Sequence, residues 1–284
     1  MAMKLVCGAL MTLASYFALG STEKVNGIVW VYSVVDGAVV IGGLSTAVPT
    51  STQGAITIPS VLGGLKVTCI ANDAFSRCIG LTSVAIPIGV TNIGERAFYN
   101  CSDLTSVTVP SSVKQIGKGA FFGCNGLTEV RIDDLTAWCN IIFGSENANP
   151  LILSPDLYLK DEKITKLVIP NDVKNVLRYA FYGCTNLTSL IVSSNVTSIG
   201  RCAFQNCSGL GAVHIPECVT NIDEYAFLGC SGLGDGVVTV DGCVLTVNGL
   251  CPAEVVLPAE TRLIANAAFR NCESMKSINL ALRA

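Results

Sequence analysis

A short pattern returns along this chain at a fixed interval. Alanine is followed directly by phenylalanine and, three residues after the phenylalanine, by cysteine. The phenylalanines of the seven copies are Phe75, Phe98, Phe121, Phe181, Phe204, Phe227 and Phe269. Within each of the first two runs of three, the spacing is 23 residues. Repetition at roughly 20 to 30 residues indicates a solenoid, in which one supersecondary unit is copied and stacked.

Each copy predicts the same succession of local structures. Leu81 to Pro87 reads Leu-x-x-Val-x-Ile-Pro, which has the period of a β-strand and ends at a proline. Val90 to Gly94 predicts a second short extended piece and then a turn. Ala97 to Leu104 has apolar residues at spacings that fit about one turn of helix. A single coil cannot bury these residues, so stacked coils are expected to form one continuous core with the phenylalanines in a row.

Taken together, these three motifs resemble the BspA-type leucine-rich repeat, also called the Treponema pallidum type. Matching copies run from about Ile56 to Leu280. The resemblance implies a right-handed solenoid of leucine-rich repeats, β-rich with short helical turns, with one strand per coil on the concave face. It also implies a secreted or surface-exposed protein of bacteria and some protists. Such proteins are linked to adhesion and to binding of host or matrix molecules, and most have no established biochemical activity.

The amino-terminal residues predict export. Lys4 precedes an apolar run from Leu5 to Leu19, and small residues follow. This pattern is typical of a secretory signal peptide, here residues 1–20, and the alternative is a buried amino-terminal helix. We expect residues 21–55 to form a cap containing a hairpin at Asp36-Gly37, and residues 56–284 to form the solenoid. No later segment is apolar and long enough to span a bilayer, so the mature chain is predicted to be secreted or at the cell surface.

The repeat is interrupted at two places. Phe121 and Phe181 are 60 residues apart, so an irregular insertion is predicted at about 133–166. Within it we expect a short helix near Trp138 and a bulging loop at 144–150. Trp138 either fills the core, which we favour, or offers a platform for a ligand.

The second interruption, at about 234–254, predicts a β-hairpin with Asp241-Gly242 as its two-residue turn. A domain boundary is the alternative here. The pattern returns at Val255, which favours one continuous solenoid.

Fourteen cysteines raise the question of disulfides. Seven occupy the repeat position three residues after a core phenylalanine, namely Cys78, Cys101, Cys124, Cys184, Cys207, Cys230 and Cys272. Stacked side chains have parallel Cβ vectors, which do not give the dihedral of a disulfide, so we expect buried thiols there. Among the remaining cysteines, Cys243 and Cys251 are the best candidates for a disulfide. With no Cys-x-x-Cys pair and no Cys/His cluster, no zinc site is predicted.

Residues with catalytic chemistry are sparse. The single histidine, His214, is predicted on the outward side of a strand, and no triad or metal partners are patterned near it. An enzyme would need a pocket joining Trp138 to the Asp133-Asp134 pair, whose ordinary interpretation is solvated charge. No nucleotide-binding, nucleophile or zinc-protease motif occurs, so no enzyme and no cofactor are predicted. A net charge of −3 without a basic run excludes a nucleic-acid footprint.

The outward positions of the strands are the predicted binding surface. Its candidate partner-binding residues are Ser83, Ser106, Thr108, Glu129, Arg131, Ser189, Ile191 and His214. Small and hydroxyl residues dominate the early coils, and the later coils vary more, which suits an extended protein or glycan partner. The alternative is a structural spacer or an assembly module of a larger surface protein. The carboxyl-terminal coil, with an unpaired strand edge, is predicted to pair with a partner or a second copy.

Overall fold

The computed structural model describes residues 20–153, 156–270 and 272–281. They fall into two compact units. Unit 1 runs up to Ala137 and includes Ile141–Asp161, and unit 2 contains Trp138–Asn140 and the residues after Asp161. Each unit is a β-solenoid with little helix and coils of about 23 residues, as predicted. The predicted signal peptide lies outside the described residues, apart from Gly20.

Unit 1 begins with a three-stranded antiparallel meander. Its strands are β1 (Ser21–Val25), β2 (Ile28–Val35) and β3 (Ala38–Ile41). The β2–β3 turn is Asp36-Gly37, with φ of 50° and 75°, which confirms the predicted hairpin. The buried ring of Trp30 meets Phe75 edge to face at 6.2 Å, so the meander covers the start of the phenylalanine row.

The coils of unit 1 build two parallel sheets. The first sheet contains β4 (Gly54–Thr57), β7 (Leu81–Ala85), β9 (Ser106–Val109), β11 (Glu129–Ile132) and β13 (Asp156–Leu159). The second continues from β3 through β6 (Leu65–Ile70), β8 (Asn92–Ile93), β10 (Gln115–Ile116) and β12 (Ile142–Phe143), and β5 (Val61–Leu62) pairs antiparallel with β6. The second extended piece predicted for each coil is therefore a two-residue strand. We call the outward surface of the first sheet the unit 1 strand face.

Unit 2 repeats this arrangement and then departs from it. Its first sheet contains β15 (Lys166–Val168), β17 (Ser189–Ile191) and β19 (Ala212–His214), and its second contains β16 (Asn175–Val176), β18 (Ser198–Ile199) and β20 (Asn221–Ile222). The remaining strands are β14 (Glu162–Lys163), β21 (Gly236–Val240), β22 (Cys243–Asn248), β23 (Glu254–Leu257), β24 (Leu263–Ile264) and β25 (Ser277–Leu280). We call the outward surface of the β15–β17–β19 sheet the unit 2 strand face.

The hairpin predicted in the second interruption is present. Strands β21 and β22 pair antiparallel around Asp241-Gly242, whose φ angles are 47° and 71°. Strand β22 then pairs in parallel with β24, and β23 pairs in parallel with β25. The insertion is thus built into the sheets of unit 2.

The stacked phenylalanines form the core of each unit. Phe98 lies between Phe75 and Phe121, with ring centroids 5.0 and 5.2 Å apart and the planes nearly parallel. In unit 2, Phe204 lies 5.3 Å from both Phe181 and Phe227. Burying a side chain of this kind contributes about 1.5–3 kcal/mol, so each row is a large part of its unit's stability.

The return segment of each coil differs from the predicted helical turn. Tyr99 donates its N–H to the carbonyl of Arg96, whereas the N–H of Phe98 goes to Ala120 in the next coil. Arg96 and Asn100 have φ of 52° and 56°. Because alternate N–H groups bond to the neighbouring coil, the segment cannot make the i→i−4 bonds of an α-helix and forms a chain of turns instead.

The first insertion contains the short helix expected near Trp138, which is α1 (Leu135–Cys139). The bulging loop predicted at 144–150 is wrong. It holds one 3₁₀ turn, Glu146–Ala148, and the start of a second, Pro150–Leu153. The carbonyl of Asn147 accepts the N–H of Phe121, so the insertion takes the hydrogen-bonding place of a regular return segment.

Six of the seven repeat-position cysteines are buried free thiols, as predicted. Cys101 donates its thiol to the carbonyl of Phe75 and Cys124 to that of Phe98, both at 3.0 Å. Burial, with a smaller effect of neighbouring Cys101, raises the pKa of Cys78 to about 12. These thiols are therefore held protonated as small donors in the core.

The predicted disulfide partners are wrong. Cys251 is bonded to Cys272, with Cα atoms 5.2 Å apart, and Cys243 is a buried free thiol. The reason is local pairing. The N–H of Lys276 reaches the carbonyl of Ala253, so the segment after β22 runs beside the last repeat-position cysteine. Cys272 thereby leaves the thiol row that its sequence position predicted. None of the helices in the described ranges is long and apolar enough to cross a membrane.

Candidate functional site

The unit 1 strand face carries its side chains in two straight rows. The register aligns Ala55, Ser83, Ser106, Glu129 and Asp156 in one row, and Thr57, Ala85, Thr108, Arg131 and Tyr158 in the other. Between them Val84, Val107 and Val130 point inward and are fully buried. Since strand side chains alternate between faces, burial of the valines fixes both rows outward.

Arg131 organises the charged end of this face. Its guanidinium donates to Glu129 Oε2 at 2.7 Å and to Asp161 Oδ1 at 3.3 Å. It also lies over the ring of Tyr158, 4.7 Å from the centroid. Half-exposed ion pairs of this kind contribute only about 0–1 kcal/mol to stability. Their main effect is to hold a charged and aromatic group in one place beside a row of small side chains.

The sequence analysis missed two members of this cluster, Asp161 and Tyr158. The signal for Tyr158 is its place between Leu157 and Leu159, which alternate as in every other strand of the face. The inserted residues hid this signal because they break the 23-residue count. Asp161 follows the strand directly and carries no pattern of its own.

The unit 2 strand face has a different character. Its rows are Lys166, Ser189 and Ala212, and Val168, Ile191 and His214. Val168 is 55% and Ile191 47% exposed, so adjacent apolar side chains lie open on this face. The predicted residues Ser189, Ile191 and His214 therefore share one surface, and the other five share the unit 1 strand face.

His214 has a partner that the sequence did not indicate. Its Nδ1 lies 3.0 Å from Oδ2 of Asp241, the first turn residue of the β21–β22 hairpin. The same carboxylate oxygen accepts the N–H of Ile215 at 2.7 Å. The Asp-Gly turn predicted the hairpin but not its position against β19. Among the residues that the structure describes, no three His, Cys, Asp or Glu side chains are placed to hold a metal ion.

The residues suggested for an enzymatic site have structural partners. Trp138 is buried and donates Nε1–H to the carbonyl of Ala180 at 2.8 Å, as expected for a residue that fills the core. Asp134 accepts the N–H of Ala137 at the start of α1, and Asp133 accepts the hydroxyl of Ser111. A carboxylate at this helix position satisfies a backbone donor that has no partner inside the helix.

The chain matches a model of the BspA type leucine rich repeat region in six copies, over residues 54–157, 152–239 and 251–283. Among curated proteins, none matches it by sequence.

Three solved structures illustrate its similarity to other proteins. A leucine-rich repeat protein of T. pallidum is 21% identical, with 87% of each chain covered and a TM-score of 0.43. A leucine rich cell surface protein of Faecalibacterium prausnitzii is 20% identical, with 93% of this chain and 95% of that one covered and a TM-score of 0.33. A leucine-rich repeat protein of Bacteroides ovatus is 18% identical, with 94% and 76% covered and a TM-score of 0.47. Because the matched repeat regions take up most of the sequence, the chain belongs to the BspA-type leucine-rich repeat family.

Proposed function

We propose that this protein is an exported or cell-surface binding protein that engages a protein or glycan partner through its strand faces. Three features support the proposal. The repeat family is one of surface and secreted proteins, the two faces carry ordered side chains, and the sequence contains no recognisable catalytic motif. Solenoids commonly use such repeated surfaces for binding.

The observation that carries the proposal is the unit 1 strand face. Its small residues, such as Ser83, Ser106 and Thr108, leave the backbone accessible to an extended partner, and they end at the Arg131 cluster. Glu129, Asp161 and Tyr158 hold the Arg131 guanidinium before any partner arrives. A preorganised charge costs less ordering entropy on binding than a mobile one, and it fixes the register of the partner.

The test is a pull-down from host and matrix extracts together with a glycan array, comparing the mature chain with a variant. The triple substitution Glu129→Gln, Arg131→Gln and His214→Gln alters both faces without changing buried residues. We expect saturable binding that weakens about tenfold or more in the variant, since charge-assisted contacts are lost. Arg96→Gln is the matched control, because Arg96 is an exposed, ion-paired arginine in a return segment. Equal binding by both variants, or no saturable binding at all, would contradict the proposal.

A second candidate is an assembly module of a larger surface structure, possible through the last coil. The observation in its favour is the exposure of Val256 (66%) and Leu280 (64%) on the paired strands β23 and β25. Light scattering over a concentration series tests it. Self-association should appear at high concentration and be lost on Val256→Glu with Leu280→Glu, and a constant monomer mass would count against it.

A further inference from the structure

We infer that unit 2 carries a second binding site, outside its strand face, for a sugar that bears a carboxylate. The site is a shallow cleft between the return segments of two coils and β22. Its lining includes Tyr225, Leu228, Thr246, Asn266, Ala267 and Arg270. Its interior volume is about 10 Å³, which admits one group the size of a water molecule or a carboxylate oxygen. Only one polar group of a ligand can enter, and the rest must lie on the rim.

The charge at the cleft is concentrated on Arg270. Two guanidinium groups contact the Tyr225 ring, with Arg270 at 5.0 Å and Arg201 at 5.8 Å from its centroid. Glu224 lies 3.8 Å from Arg201 and offsets its charge. Within the described part of the chain, Arg270 pairs with no carboxylate. An exposed arginine held on an aromatic ring and left without an anion is ready to bind one in the forked geometry that carboxylates accept.

A second, independent observation comes from Thr246. This residue lines the cleft, is only 3% exposed, and its hydroxyl has no hydrogen-bond partner among the described residues. A buried hydroxyl without a partner costs free energy, and a ligand oxygen placed in the cleft would satisfy it. Arg270 and Thr246 therefore converge on the same kind of group, an oxygen acceptor.

The acidic residues at the rim distinguish a sugar from an acidic peptide. Asn266 donates to Asp223 Oδ1 at 3.3 Å, and Glu224 lies against Arg201, so two carboxylates stand close to the arginines. A polyacidic chain would be repelled by them. The hydroxyls of a sugar, in contrast, can donate to carboxylates while its single carboxylate meets Arg270. A uronic acid unit within a glycan has this combination.

Calorimetric titration with a tri-galacturonate oligosaccharide tests the inference, with its methyl ester as the uncharged counterpart. We expect saturable binding of the acid, about tenfold weaker binding after Arg270→Gln, and weaker binding after Thr246→Val. Arg96→Gln is again the matched control. Arg96 lies 5.8 Å from the centroid of Tyr99, as Arg201 does from that of Tyr225, but Asp73 already occupies its guanidinium. This control should bind the acid like the wild type.

Three outcomes would overturn the inference. They are equal binding of the acid and its ester, unchanged binding after Arg270→Gln, and equally tight binding of a polyglutamate peptide. Both unit 2 variants should melt within a few degrees of the wild type, and Arg270→Lys, which keeps the charge but loses the fork, should bind at an intermediate level. Because the strand-face substitutions lie elsewhere, their effects separate failure of this site from failure of the proposed function.

Discussion

Gly117 shows how tightly successive coils approach each other. A Cβ at this position would lie 2.5 Å from the backbone nitrogen of Glu95 and 2.6 Å from the carbonyl carbon of Gly94. We expect Gly117→Ala to lower the free energy of unfolding by about 1–3 kcal/mol, because backbone must move to admit the methyl group. Urea denaturation measures this change.

Gly211→Ala is the control for that substitution. Its Cβ would meet nothing closer than 3.7 Å, and its φ is not left-handed. The free energy of unfolding should stay within about 0.5 kcal/mol of the wild type. A similar loss in both variants would show that glycine matters here for some reason other than close approach.

The sequence identified these glycines but not their role. Gly94 was expected to supply backbone freedom for a turn, yet its φ is not left-handed. The left-handed positions are instead occupied by non-glycine residues such as Arg96 and Asn100. Glycine is needed at 94 because the previous coil's backbone lies 2.5 Å from where its Cβ would be, and single-sequence patterns do not reveal such distances.

The buried thiols predict a dependence of stability on alkaline pH. Cys78 titrates near 9 when exposed and at about 12 in the folded chain, because burial disfavours the thiolate. The folded state therefore holds the proton more tightly than the unfolded state. This stabilisation is complete below pH 9 and is lost as the pH rises towards 12.

Urea titrations at pH 8 and pH 10.5 should show a lower free energy of unfolding at the higher pH. Cys78→Ala should reduce that difference, since the variant has one buried thiol fewer to ionise on unfolding. The substitution Cys218→Ala removes a half-exposed thiol and is the control. If the pH effect is the same in all three proteins, ionisation of Cys78 does not contribute to it.

At the scale of elements, the disulfide joins the end of β22 to the last return segment. Cys251 and Cys272 close a loop that contains β23 and β24. We expect its removal by Cys251→Ser with Cys272→Ser to destabilise this region by about 2–4 kcal/mol. Limited proteolysis should then cut first within residues 250–281. Peptide mapping without reductant should show the 251–272 link and a free Cys243, and a 243–251 link would refute the assignment.

Elements with a local cause were predictable from sequence, and elements with a distant cause were not. Asp36-Gly37 and Asp241-Gly242 gave both hairpins, because the two-residue turn depends on those residues alone. The return segments were expected to be helical because Ala97, Phe98 and Cys101 have helical spacing. Their N–H groups are instead shared with the neighbouring coil, which no single copy of the repeat can show.

At the scale of the whole molecule, each coil depends on its two neighbours. Phe98 is stacked between Phe75 and Phe121, so Phe98→Leu should weaken both contacts, by about 1–2 kcal/mol in total. Hydrogen exchange measured by mass spectrometry should rise in the coils of these three residues and stay unchanged in unit 2. The variant Phe204→Leu should give the reverse result, and a uniform rise over both units would contradict nearest-neighbour behaviour.

The candidate surfaces were only partly visible in the sequence. The alternation around Val107 and Val130 correctly placed Thr108 and Arg131 outward and in line. The partners of the charged groups come from the irregular insertions, as with Asp161 beside Arg131 and Asp241 beside His214. A repeat count cannot place such residues, since their positions depend on how each insertion folds back.

The in-register stacking of outward residues means that such a protein can lengthen by gene duplication. Copying one 23-residue segment would add a rung of roughly 4.8 Å while leaving the fold of existing rungs intact. The run from Ser83 through Ser106 to Glu129 shows the outcome to expect, with a conserved interior ladder and an exterior letter free to drift at every rung. Selection could then retune recognition one rung at a time without redesigning the scaffold.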